Sequence, residues 1–214
     1  MESHMYKIIC LLIGYAIGCI QVAYMVGKAQ GIDIREHGSG NAGATNVLRV
    51  LGKRPGFTVF GFDVLKAIVA YVICSLIFGG AGTFTSGAYG ILPGIYGGLG
   101  AVVGHIFPFY LKFKGGKGVS CILGVILSIH LFMALTIFAL GVAVVIFTKY
   151  VSAASLSMSA MLPVFLFLHN HGTEAVLVAL TMTAICFYKH SGNIDRIRKG
   201  TERTLDLFAS KDES

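Results

Sequence analysis

The sequence predicts an all-α fold: a polytopic membrane helix bundle of seven transmembrane helices, with the N-terminus outside and the C-terminus in the cytoplasm. Three observations carry that expectation. Mean hydropathy is +0.78, and 55% of the 214 residues are hydrophobic while only 13% are charged, which excludes an ordinary soluble domain. The apolar residues fall in runs close to the roughly 20 residues needed to cross about 30 Å of hydrocarbon. The basic residues, which give a formal net charge of +7, sit in short clusters between those runs. That placement points to membrane orientation and not to nucleic acid.

The first apolar run, 6–28, lacks a small-residue cleavage site and is too long for a signal-peptide core, so it is read as a span. Five further runs follow at 56–80, 86–111, 119–148, 152–170 and 173–189. The run 119–148 is too long for one crossing: as a single helix, at about 1.5 Å per residue, it would overshoot the hydrocarbon core. A break near Ser128-Ile129-His130 turns it into two helices and gives seven spans. Segments 28–55, 112–118, 149–151 and 189–214 then share one side, with all Lys and Arg residues except Lys7 and Lys66. A single helix would split Lys149 from the basic tail, so the positive-inside rule prefers seven. No internal repeat or second domain interrupts 1–214. Cys10, Cys19, Cys74, Cys121 and Cys186 all lie in apolar runs without metal-ligand spacing, and read as small buried hydrophobes.

The polar residues gather on the basic side. Gly38-Ser39-Gly40-Asn41-Ala42-Gly43-Ala44-Thr45-Asn46, followed by Arg49, is a small-residue loop rich in Ser, Asn and Thr donors, able to wrap a ligand closely. Ser39 lies outside the G-x-S-x-G elbow of the α/β-hydrolases. Asp63 and Lys66 share one helical face at membrane depth; a mutually neutralising pair and direct substrate contact are equally open. His105 and Pro108 lead into Lys114-Gly115-Gly116-Lys117-Gly118, whose uncovered N–H groups and lysines form a nest for phosphate. It is not the nucleotide P-loop, because Leu111 stands five residues before Gly116 and Val119, not Ser or Thr, follows Gly118. Ser152 reads as a helix cap or a phosphate donor, with capping preferred. His130, His169 and His171 read as bystanders.

The runs Gly38–Asn46, Gly104-His105-Ile106-Phe107-Pro108 through Gly115-Gly116-Lys117-Gly118-Val119, and His190-Ser191-Gly192-Asn193 through Glu202 together resemble the bacterial acyl-phosphate:glycerol-3-phosphate acyltransferase family (the PlsY family). The resemblance spans nearly the whole chain, and three long motifs in this order make it specific. The resemblance implies an integral membrane enzyme of the bacterial inner membrane with its site on the cytoplasmic face. It would move a fatty acyl group from acyl phosphate to the 1-hydroxyl of glycerol 3-phosphate, releasing lysophosphatidic acid and phosphate, the first committed step of phospholipid synthesis. Small departures from the family pattern are Ala67, Ser120-Cys121 and Ile197.

An acyl phosphate is a mixed anhydride with a good leaving group, so two anions must be brought together and no acyl-enzyme is needed. The implied catalytic set is Ser39, Asn41, Arg49, Lys117, His190 and Asn193. The implied binding set is Thr45, Asn46, Lys66, His105, Gly115, Gly116, Gly118, Ser152, Arg196 and Glu202. One phosphate is placed on the glycine loop with Lys117 and the other near Arg49, His190, Asn193 and Arg196; which substrate takes which is open. Ser39 and Asn41 would orient carbonyl or phosphate oxygens, and Glu202 would fix the loops by pairing with a base. No cofactor, metal or nucleic acid is implied, and the enzyme is expected to work as a monomer among membrane lipid. The substrate's own phosphate is expected to take the hydroxyl proton. His190 and Asp195 have the H-x4-D spacing of the acyl-CoA-dependent glycerolipid acyltransferases, but five residues apart on a helix they diverge by about 140°. A transporter of phosphorylated solutes is the rival reading. It needs polar residues on both faces, whereas the other side has few: Thr83, Thr85, Ser86 and the His169–Glu174 turn.

Overall fold

The computed structural model describes residues 2–79 and 90–204. Thr83, Thr85 and Ser86, counted above among the outward polar groups, lie outside the described residues. Within them the chain is all helical, with no strand. The helices are α1 (Glu2–Gly18), α2 (Val22–Ala29), α3 (Ala44–Leu51), α4 (Lys53–Phe78), α5 (Leu92–Ile106), α6 (Val119–Ile129), α7 (Leu131–Thr148), α8 (Val151–Leu168), α9 (Thr173–Lys189) and α10 (Ser191–Arg198). Short 3-10 turns at Ile34–Glu36 and Phe109–Leu111 shape two of the loops.

Because lipid is as apolar as a leucine side chain, the helices gain little from burying greasy faces and pack through small residues instead. The α1–α5 crossing shows this. A Cβ on Gly14 would stand 2.0 Å from the Gly97 carbonyl oxygen, and one on Gly100 would stand 2.3 Å from that of Leu11. Gly18 and Gly104 repeat the contact one turn on, against Ala101 and Tyr15. Gly124 of α6 lies likewise against the Val64 carbonyl of α4. Ala67, Ala70, Ile95, Val102, Ile122, Leu162 and Met182 fill the core between them.

The expected break in 119–148 is present. His130 takes an extended backbone, and its side chain accepts the Met133 N–H at the start of α7. Five helical segments are long and apolar enough to cross a membrane: His4–Ala29, Lys53–Phe78, Leu92–Leu111, Leu131–Thr148 and Val151–Leu168. Taken with α10 across a 58° bend, α9 makes a sixth. With only 11 residues, α6 is about 16 Å long, about half the length of a helix that spans a hydrocarbon core of usual thickness.

Candidate functional site

Four segments converge at one end of the bundle: the loop 30–52 with α3, the loop 107–118, the α7–α8 turn, and α10 with residues 199–204. The first is built by Asn46. Its buried amide accepts from the Ser39 N–H (2.7 Å) and donates to the carbonyls of Ile34 (2.9 Å) and His37 (3.0 Å). Gly38 makes this possible: it holds a φ of +60°, and a Cβ there would lie 2.3 Å from Asn46 Oδ1. Arg35 donates to the Leu111 carbonyl (3.2 Å), tying the first loop to the second.

Beneath the glycine loop lies a closed charge cluster. Lys66 Nζ is 2.7 Å from Asp63 Oδ1, 2.8 Å from the Ile20 carbonyl and 2.9 Å from His105 Nδ1. All three side chains are buried. Ile20 lies in the break between α1 and α2, where the chain is not helical. The pair neutralises itself and ties α4, α5 and the α1–α2 break together.

The glycine loop rests on this cluster. Gly116 N–H donates to the His105 carbonyl (3.0 Å) and Gly115 N–H to that of Ile106 (3.1 Å). A Cβ on Gly116 would come within 2.0 Å of His105 Nε2, and one on Gly115 within 2.1 Å of its carbonyl oxygen. These two glycines therefore provide close approach, and their amides are occupied by α5. Donors facing the site belong instead to Lys117, Gly118 and the first turn of α6, whose opening N–H groups have no partner within the helix.

The last piece is a relay joining segments distant in sequence. Lys117 Nζ donates to Asn193 Oδ1, and Asn193 donates to Glu202 Oε1 (2.5 Å). Ser152 donates to the same oxygen (2.9 Å), while Arg196 Nε pairs with Glu202 Oε2 (2.8 Å). Ser152 is thus not a cap: Tyr150 holds the N-cap position of α8, and the Ser152 hydroxyl serves Glu202. Burial opposes the charge of Glu202, but hydrogen bonds from Asn193, Ser152 and Arg196 hold its carboxyl below the ordinary value. Burial pulls Lys117 down to about 8, opposed by Glu202 and assisted by Arg196 and Arg49. Arg49 is lowered by burial and then by Arg203. His190 is pushed down to about 4 by burial and by Lys117, so it is neutral near pH 7. Its Nδ1 faces the Cys186 carbonyl (2.8 Å), whereas Asp195 pairs with Lys199 at the surface (2.9 Å).

All these segments line a cavity of about 280 Å³. Its polar end carries Ser39, Asn41, Thr45, Asn46, Arg49, Lys117, Gly118, Ser152, His190, Asn193, Arg196 and Glu202, with His105 and Asp63 at the base. Gly115, Gly116 and Lys66 stand behind that wall. Sequence reasoning missed Arg203, although it directly follows Glu202. It also missed the apolar extension of the same cavity, lined by Phe57 and Phe60 of α4, Phe138, Gly141, Val142 and Val145 of α7, and Met158 of α8. Among described residues no group of three or more His, Cys, Asp or Glu side chains is placed to hold a metal ion.

The family model described as "Glycerol-3-phosphate acyltransferase" matches residues 8–200. The chain is 38% identical over 202 residues to a glycerol-3-phosphate acyltransferase of Thermoanaerobacter sp. (strain X514), covering 94% of this chain and 96% of that one. It is 40% identical over 206 residues to that of Clostridioides difficile (strain 630), covering 96% and 98%. It superposes on a crystal structure of PlsY (YgiH), an integral membrane glycerol 3-phosphate acyltransferase in its glycerol 3-phosphate form, with a TM-score of 0.84, 32% identity and coverage of 95% and 99%. The lysophosphatidic acid form of PlsY (YgiH) gives 0.80, 32% identity and coverage of 94% and 95%.

Proposed function

Because the chain belongs to the glycerol-3-phosphate acyltransferase family and is an integral membrane acyltransferase, we propose that its donor is an acyl phosphate and that it acylates the 1-hydroxyl of glycerol 3-phosphate. The products would be lysophosphatidic acid and inorganic phosphate, made at the cytoplasmic face of the bacterial inner membrane by a monomer. In this reading the chain crosses the membrane seven times with its N-terminus outside, and α6 enters from the cytoplasmic side as a short crossing.

One observation carries the reading: a single cavity joins a cationic, amide-lined end to an apolar groove between α4, α7 and α8. Such a site suits a phosphate attached to a fatty chain, with a second phosphate beside it. Lys117, Gly118 and the first turn of α6 form one anion cradle, and Arg49 and Arg196 the other. Lys117 and Arg196 are already linked through Asn193 and Glu202, so the two cradles are held at a set separation before substrate arrives. Ser39 and Asn41 donate to the carbonyl oxygen as it gains charge.

In the transfer, the C1 hydroxyl oxygen of glycerol 3-phosphate bonds to the acyl carbonyl carbon. The bond from that carbon to the phosphate oxygen breaks, and its electron pair leaves with phosphate. The hydroxyl proton passes to a phosphate oxygen of the substrate. A neutral His190 with a low basicity, turned toward Cys186 and away from Asp195, supports substrate-assisted transfer over a His–Asp base.

The test supplies purified protein in lipid with radiolabelled glycerol 3-phosphate and either palmitoyl phosphate or palmitoyl-CoA. Lysophosphatidic acid is expected from the phosphate only. Product only from the thioester would sink the donor assignment and return attention to His190 and Asp195.

A further inference from the structure

The deepest apolar residues that α4 and α7 contribute to the cavity lining are both phenylalanines. Phe60 of α4 and Phe138 of α7 face each other with ring centroids 6.1 Å apart at 40°. The lining residues of α7 descend from the Lys149 end in the order Val145, Val142, Gly141, Phe138. Phe138 therefore lies about 15 Å below Thr148 along the helix. On α8 the deepest lining residue is Met158. Its thioether is seated over Gly141, where an added Cβ would lie 2.3 Å from Met158 Sδ and 2.9 Å from its Cγ.

We propose that the Phe60–Phe138 pair, with Met158 held back by Gly141, is the floor that sets the length of acyl chain this enzyme prefers. The inference rests on the reading of this arm as the acyl groove. A chain entering the groove leaves lipid, not water, and lipid is as apolar as the groove wall. Added methylenes therefore gain little by burial, and length is chosen by where the groove stops. A chain that ends above the rings packs against Val142, Val145 and Met158. A longer one must part the rings or bend out between α4 and α7. Phe138 is 42% exposed, so the cost of either is the lost ring–ring contact and the repacking of α7 beside it.

The experiment is an internal competition. Lauroyl phosphate and stearoyl phosphate are presented at equal amounts in phosphatidylcholine vesicles with glycerol 3-phosphate, and the two lysophosphatidic acids are quantified by mass spectrometry. The ratio reports relative kcat/KM whatever fraction of the protein is active. Phe138→Ala is expected to move the ratio about tenfold toward stearoyl, the scale of discrimination one or a few methylenes provide. Gly141→Ala, which drives Met158 into the groove, is expected to move it toward lauroyl. Phe138→Leu gives a smaller shift in the first direction and stands in if the alanine variant does not fold. Unchanged ratios in the Phe138 and Gly141 variants would overturn the proposal, because the tail would then be leaving sideways into lipid. So would shifts of opposite sign. If the wild-type protein uses no acyl phosphate, the same competition with lauroyl-CoA and stearoyl-CoA reads the floor, so failure of the donor assignment and failure of the floor are separate results.

Discussion

Lys117 carries its charge against resistance. Burial, Arg196 and Arg49 all disfavour the ammonium, and Glu202, with a smaller contribution from Cys186, only partly offsets them, which leaves its pKa at about 8. A lysine lowered in this way is protonated below pH 8 and loses its charge as pH rises through that value. Since kcat/KM reports ionisations of the free enzyme, it is expected to fall with one ionisation centred near pH 8. In Lys117→Arg that limb should vanish from the accessible range, because a guanidinium stays charged. An unmoved limb in Lys117→Arg would assign the ionisation elsewhere. The residue scale also separates kinds of glycine. Gly118, with a φ of +91°, faces the cavity, whereas Gly115 and Gly116 are pressed against His105. A glycine-rich string announces an anion site, but it does not say which glycines face the anion.

At the scale of elements, the bundle is held by backbone approach. Gly100 has the Leu11 carbonyl 2.3 Å from where its Cβ would be, whereas Gly61, on α4, has nothing within 4 Å. Gly100→Ala is therefore expected to cost about 1–3 kcal/mol through forced separation of α1 and α5. Gly61→Ala should be neutral or slightly stabilising, since alanine is the better helix former. Thermal midpoints measured in one detergent would check this; equal midpoints for both variants would deny the crossing its role. His130 illustrates what is local. The length of the apolar run required a break, and a residue with poor helix propensity and a side-chain acceptor stands there to cap the next helix. The opposite holds for Ser152. Its position near a helix start suggested capping, but a carboxylate 50 residues onward captures its hydroxyl.

For the whole molecule, the distribution of charge makes a topological statement. If basic loops face the cytoplasm, a cysteine at Lys199 should react with a membrane-impermeant maleimide only in inverted vesicles. One at His169, in the exposed α8–α9 turn, should react in intact cells. The five native thiols are buried and should stay silent. Labelling of both positions from one side would contradict the seven-pass arrangement. The sequence by itself determined the helical membrane class, the break in 119–148, the basic face and the three motifs. Each depends on hydropathy, length or charge along a contiguous stretch, and those properties survive without knowledge of neighbours. Only the tertiary structure decided that Lys117, Asn193, Glu202, Ser152 and Arg196 form one network, that Lys66 lies behind the site, and that the cavity continues between α4, α7 and α8. In a lipid-facing bundle every helix is apolar on most sides, so periodicity carries no mark of which apolar face lines a groove. Side chains from segments tens of residues apart meet only where backbone packing brings their helix ends together.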